Sequence, residues 1–204
     1  MQALASPNVK LRFPALEVTA DISRGSARHI APLYGREFVA ALGLSATRDQ
    51  PRATQRVLAT LTNVALSVDA VFDDLCAAGL LERFAQLLSE EGPAELRADL
   101  LDFFKMLLYR ENTREADVLL NDLQLLGSVL RALADGELGV LKAAMECLEA
   151  LLDCGRALEE AKSENIVREQ LQGHAAFTNF ERTAFSPHSI VAKYHKHISA
   201  KFDL

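Results

Sequence analysis

The chain has 204 residues, half of them apolar and a quarter charged, and carries a formal net charge of −6. That is enough for one or two domains with a sizeable core. The acidic balance argues against nucleic acid, whose binders carry a basic stripe, and the absence of Trp with few Gly and Pro argues against a turn-rich β fold.

Leu and Ala dominate, and both favour helix. Turn residues divide the chain into predicted helices over 8–24, 27–45, 51–66, 69–77, 80–90, 93–110, 114–134, 137–153, 155–171, 174–182 and 187–202. The breakers are Gly25, the stretch from Gly43 to Pro51, Gly79, Gly92-Pro93, Gly136, Gly155, Gly173 and Ser186-Pro187. Connections this short make successive helices antiparallel neighbours. In the helix over 51–66, Val57, Leu58, Leu61, Val64 and Ala65 share one face, while Arg52, Gln55, Arg56 and Asn63 lie away from it. The helix over 93–110 carries a wider stripe of Leu96, Leu100, Leu101, Phe104, Leu107 and Leu108, joined by Phe103 and Met106, and is predicted to sit between two others. The helix over 137–153 repeats the pattern with Leu141, Met145, Leu148, Leu151 and Leu152. Phe177, Phe180, Phe185, Tyr194 and Phe202 read as the small core of a terminal cap, with a partner-binding patch as the alternative.

A helical unit recurs at about 42–49 residues, the spacing of stacked helical repeats. Its copies begin at Pro7, Pro51, Gly92 and Gly136. Stacked helices offer a long surface, suited to binding chains. The pattern predicts one continuous array with units over 1–50, 51–92, 93–136 and 137–172 and an atypical cap over 173–204. The first unit starts almost at Met1 with no capping helix before it. The expectation is therefore a C-terminal slice of a longer array, or an end covered by another chain.

No cofactor or metal is expected. Cys76, Cys147 and Cys154 include no CxxC pair and read as small buried hydrophobes in a reducing compartment. No signal peptide is visible and no apolar run approaches a membrane span. Cytoplasmic or nuclear location is the corresponding expectation. His195 and His197 are two apart on a helix and point to different faces, so they do not share a metal. Ser186-Pro187-His188 lies in a turn with no oxyanion motif, and no nucleophile elbow or phosphate loop occurs. Catalysis is not expected.

The order of short helix, Gly, second helix and long third helix resembles armadillo repeats, an all-α, right-handed solenoid. More narrowly, three segments resemble the C-terminal part of importin-α: Ser6 to Gly25, Val71 to Leu101, and Ser163 to Phe202. The resemblance implies a groove lined by the third helices, where a Trp and Asn ladder holds a basic nuclear localisation peptide. The matching pairs are Glu17 with Asp21, Ala59 with Asn63, Asp102 with Met106, and Glu146 with Ala150. Only Asn63 keeps the family's residue type. The resemblance also implies a transport-receptor surface on the last repeat, here from Glu181 through Tyr194 and Lys196 to Phe202.

In place of the ladder stand acids: Glu17, Asp21, Asp102 and Glu146, with Asp99, Glu149 and Asp153 nearby. They either line a groove that attracts Lys and Arg or form the solvated face of amphipathic helices. Asn63 can offer donor and acceptor to a peptide backbone. Two functions follow. One is a non-enzymatic import adaptor binding a basic peptide or a transport receptor. The other is a general armadillo scaffold holding an unrelated peptide or helix in a cytoskeletal or signalling complex.

Overall fold

The computed structural model describes residues 1–25, 29, 31–110, 112–162 and 166–204. Twelve helices occur among them, and no strand. They are α1 (Val9–Ser23), α2 (Arg36–Gly43), α3 (Pro51–Ala65), α4 (Val71–Ala77), α5 (Leu80–Ser89), α6 (Ala94–Leu108), α7 (Thr113–Asp117), α8 (Leu125–Ala132), α9 (Leu138–Lys162), α10 (Ile166–Gly173), α11 (Phe177–Thr183) and α12 (Ser189–Phe202). The chain divides into two compact units, Met1–Asp99 and Leu100–Leu204, and the division falls inside α6.

In the first unit α1 packs along α3, and α4 packs against α5. Asn8 caps α1, its Oδ1 accepting from the Lys10 N–H at 3.0 Å. Pro14 sits inside α1, where it lacks one helical hydrogen bond. Burial of Leu16 and Ala20 on the α3 side holds the helix together. Pro51 opens α3 at a position whose N–H needs no helical partner. The buried Thr54 hydroxyl accepts from the Thr47 N–H at 3.0 Å and donates to the Thr47 carbonyl at 2.8 Å, tying the preceding loop to the helix. All five apolar positions predicted for the buried face of α3 are buried. Gly79 joins α4 to α5 with φ of +64°, a region that favours glycine.

In the second unit α9 is the central element, packed against α7, α8, α10 and α12. Its predicted stripe from Leu141 to Leu152 is buried, as are Leu100, Leu101, Phe103, Phe104, Leu107 and Leu108 of α6. Met106 is half-buried. Gly127 of α8 lies against the ring of His174, where an added Cβ would come within 2.8 Å of Nε2. The His174 Nδ1 accepts from the Ala176 N–H at 3.0 Å, so that ring is held in place.

Several expectations change. The helix over 27–45 is broken by a turn over 31–35, where Pro32 and Gly35 lie, and α2 runs from Arg36; residues 26–28 and 30 lie outside the described residues. The helix over 114–134 is broken. After α7 the backbone widens into a π-turn over Val118–Asp122, and Gln124 takes φ of +50° before α8 starts. Gly155 does not end α9, which runs through it to Lys162. Packing on several neighbours outweighs the roughly 1 kcal/mol that one glycine costs a helix. The helix over 155–171 is thus shared between α9 and α10, and residues 163–165 lie outside the described residues. Finally, Phe185 is not in the cap core but 90% exposed, on the turn after α11. Of the three cysteines only Cys147 is buried, and burial pushes its thiol up; Cys76 and Cys154 are half-buried.

Candidate peptide-binding surfaces

The long helices α1, α3, α6, α9 and α12 carry the groove residues singled out in the sequence, and Glu181 lies on the short α11. Each unit cross-links its own neighbouring long helices through them.

In the first unit, Glu17 of α1 accepts from Arg56 Nε of α3 at 2.6 Å, both side chains being a little over one-third exposed. Gln55 donates from Nε2 to Asp99 Oδ2 of α6 at 2.7 Å. Near the far end of α1, Asn63 donates from Nδ2 to Ser23 Oγ at 3.1 Å. Asp21 is exposed and pairs with Arg24 of its own helix at 2.6 Å. Phe13, Glu17, Arg52, Gln55, Arg56, Ala59 and Asp99 line an open cavity of about 590 Å³. The ring of Phe13 and the methyl of Ala59 give it an apolar part, and Gln55 a neutral amide. Among the described residues, Arg52 is exposed and has no hydrogen bond or ion pair. A second, apolar cavity of about 420 Å³ lies between the start of the chain, α1 and Phe38.

In the second unit, Lys105 of α6 bridges Asp102 and Glu146, each at 2.6 Å. Lys105 and Glu146 are 19% and 21% exposed. Glu146 also accepts from the Tyr194 hydroxyl of α12 at 3.0 Å and lies 3.6 Å from Lys142. One turn on, Glu149 accepts from Lys201 at 2.8 Å and meets His197 Nε2 at 3.0 Å, and Asp153 accepts from Lys201 at 2.7 Å. Phe202 is flanked by the Arg156 guanidinium and the Lys201 ammonium, 4.7 and 5.1 Å from its ring centroid. Ala150 lines a cavity of about 470 Å³ with Tyr109, Asp153, Cys154 and others.

These contacts move the charges in consistent directions. Burial opposes the ionised form of Glu146, but hydrogen bonds from Lys105 and Tyr194 outweigh it and hold its carboxyl below the ordinary value of 4.5. Glu149 follows the same logic, with burial overcome by Lys201 and His197. Burial would lower Lys105, yet its bonds to Asp102 and Glu146 raise it above 10.5. A carboxyl with a depressed folded value stabilises above its unfolded value and loses that contribution as pH falls through the folded one. The urea midpoint of the chain is therefore expected to fall steeply below about pH 4.5. Glu146→Gln should flatten that acid limb; an unchanged limb would refute the role given to Glu146.

Of the predicted groove residues, Glu17 and Ala59 meet in one cavity, Asn63 is engaged by Ser23, and Asp102 and Glu146 share Lys105. Of the predicted partner contacts, Glu181 and Lys196 are exposed, whereas Tyr194 and Phe202 are engaged within the fold. The cations that bind the acids were missed as site residues. Register could have found them, because Arg52, Arg56, Ala59 and Asn63 follow one another at helical spacing of three, four or seven. Lys105 stands beside the predicted Met106. The Phe180 ring stacks on Phe177 at 5.7 Å and on His195 at 4.5 Å, and His195 Nδ1 lies 3.1 Å from the Phe180 carbonyl. The two histidines therefore serve opposite faces of α12, as their spacing predicts. Ser186 Oγ accepts from the His188 N–H at 3.3 Å, so that serine closes a turn. Among the described residues no group of three or more His, Cys, Asp or Glu converges to hold a metal, and no helix is long and apolar enough to cross a membrane.

Several solved structures are similar to this chain. One is described as computationally designed armadillo repeat proteins for modular peptide recognition; it has a TM-score of 0.76 at 17% identity, over 98% of this chain and 79% of that one. A designed armadillo repeat protein in complex with the peptide (KR)4 has a TM-score of 0.65 at 16% identity, over 98% and 97%. A further designed armadillo repeat protein has a TM-score of 0.64 at 18% identity, over 98% and 97%. No protein-family model and no curated protein matches the chain. At these identities the likeness establishes the fold, an all-α solenoid of armadillo-type repeats. None of these likenesses singles out importin-α over other armadillo proteins.

Proposed function

We propose that this chain is a non-catalytic armadillo scaffold that binds an extended peptide across the exposed faces of α1 and α3. The observation that carries this reading is the open cavity of about 590 Å³ in the first unit. It combines an apolar seat at Phe13 and Ala59, the amide of Gln55 and the unpartnered guanidinium of Arg52. A peptide needs these together: backbone hydrogen bonds for affinity and a pocket for a side chain for choice. Designed armadillo proteins of the same fold bind peptides, which supports the reading by analogy.

The import refinement requires a basic ligand, and the pairing of the acids weighs against it. A ligand Lys or Arg at Glu17 would displace Arg56, exchanging one cation for another with little net gain. A ligand of mixed polarity, with a carboxylate near Arg52, gains a charge pair and breaks none. Anisotropy titrations with labelled acidic, neutral and basic peptides separate the two. The expected result is binding that Arg52→Glu weakens roughly tenfold for peptides with a carboxylate. Tight, strongly salt-dependent binding of basic peptides that ignores Arg52→Glu would overturn it in favour of an import-type ligand.

A further inference from the structure

We infer that the outer face of the C-terminal cap is a second docking surface, for a partner segment that carries carboxylates around an apolar side chain. Residues 174–202 hold four Lys or Arg (Arg182, Lys193, Lys196, Lys201) and one acid, Glu181, in a chain whose 28 acids outnumber 22 bases. The fold splits these cations. Lys201 is spent on Glu149 and Asp153. Arg182, Lys193 and Lys196 are exposed, and their side chains have no hydrogen bond or ion pair among the described residues.

Between them stands the most exposed large apolar side chain described in the molecule, Phe185 at 90%, and Ile190 is 41% exposed. Phe185 is held on an ordered turn: its N–H donates to the Arg182 carbonyl at 3.0 Å, and the Ser186 N–H to the Thr183 carbonyl at 3.1 Å. The turn thus fixes the backbone that carries the ring, so only the side-chain rotamer remains to be ordered on binding. Ile190 and Lys193, and Lys193 and Lys196, are three apart on α12, so the apolar and basic positions run along one side of that helix.

Charge decides the class of partner. A narrow acidic segment meets only the local cations, since screening confines the field to about 8 Å at physiological salt. A broad anionic membrane would also meet a chain of net charge −6, which disfavours it. The contact needs no groove in this chain, because the apolar side chain of the partner segment packs against Phe185 and Ile190.

The test uses the whole chain and a fluorescein-labelled peptide in which Glu pairs alternate with Leu and Phe. Saturable binding at low salt is expected, weakening as salt rises. Phe185→Ala, and separately Lys193→Glu with Lys196→Glu, should each weaken it roughly tenfold. These positions are exposed, so circular dichroism should show the variants folded. Because the cavity of the first unit is also expected to take a carboxylate peptide, the titrations are run in the Arg52→Glu background, where the cap should still bind the peptide saturably. Absence of saturable binding overturns the proposal. So does binding insensitive to the cap variants, binding lost in Arg52→Glu, or capture by phosphatidylserine vesicles with the same dependence on Phe185 while the peptide fails.

Discussion

Phe104→Ala is expected to lower the stability of the second unit by about 3–5 kcal/mol, the range for removing a buried aromatic from a packed core. Phe104 is fully buried on α6, and its ring meets Phe103 edge-on at 5.9 Å between centroids. Alanine is the stronger helix former, so α6 itself gains slightly from the change. The whole loss must then come from the cavity and the broken contacts. Urea denaturation followed by helical circular dichroism should show a lower midpoint with an unchanged slope, the sign of a change in stability without a change in exposed surface. Phe104→Leu fills most of the space and should cost less than half as much. A loss under about 1 kcal/mol for Phe104→Ala would mean that the helices around α6 close the gap, against the close packing of the core.

Phe104 was legible in the sequence because it belongs to a stripe of apolar residues at helical spacing. The same holds for the faces of α3 and α9, whose predicted buried residues are buried without exception. What periodicity cannot see is how the polar face is spent. Glu17, Asp102 and Glu146 read as a line of acids because each was considered on its own helix. The partners of Glu17 and Glu146, Arg56 and Lys105, lie 39 and 41 positions away in the chain, while Asp102 meets that same Lys105 one turn along its own helix. The pairs between helices exist only once the repeats stack. The break at Gln124 was illegible for a related reason. The apolar run from Leu119 to Leu133 has helical spacing on both sides of the π-turn, and nothing local marks the residue that takes positive φ.

The cap shows both limits in one stretch. Phe177, Phe180 and Phe185 look equivalent by composition, and spacing puts the first two on one face, where they stack. Phe185 falls two residues beyond the end of a seven-residue helix, so its direction is decided by the turn. The exposed ring is therefore a consequence of the helix ending at Thr183, whose hydroxyl donates to the Phe180 carbonyl at 2.6 Å and helps close that turn.

Glu146→Lys should be the most damaging single change on the polar side of the second unit. Glu146 accepts from Lys105 and Tyr194 and lies near Lys142, so it joins α6 to α12 through α9. The substitution removes both hydrogen bonds and sets a third cation beside two others. Lys105 is mostly buried and would keep only Asp102, which is itself half-exposed. Breaking a buried ion pair by removing one partner costs about 3–5 kcal/mol; partial exposure places this site at about 3 kcal/mol. Glu146→Gln is the contrasting case, since an amide still accepts from Tyr194 or Lys105, and about 1 kcal/mol is expected. Amide exchange locates the effect. In the Lys variant, protection should drop first along α12, whose other polar ties to α9 include the contacts of His197 and Lys201, the bond from Arg156 to the Lys201 carbonyl and the cation stacking at Phe202. If α12 keeps its protection while stability falls, the Tyr194 bond is incidental and the loss belongs to Lys105 alone.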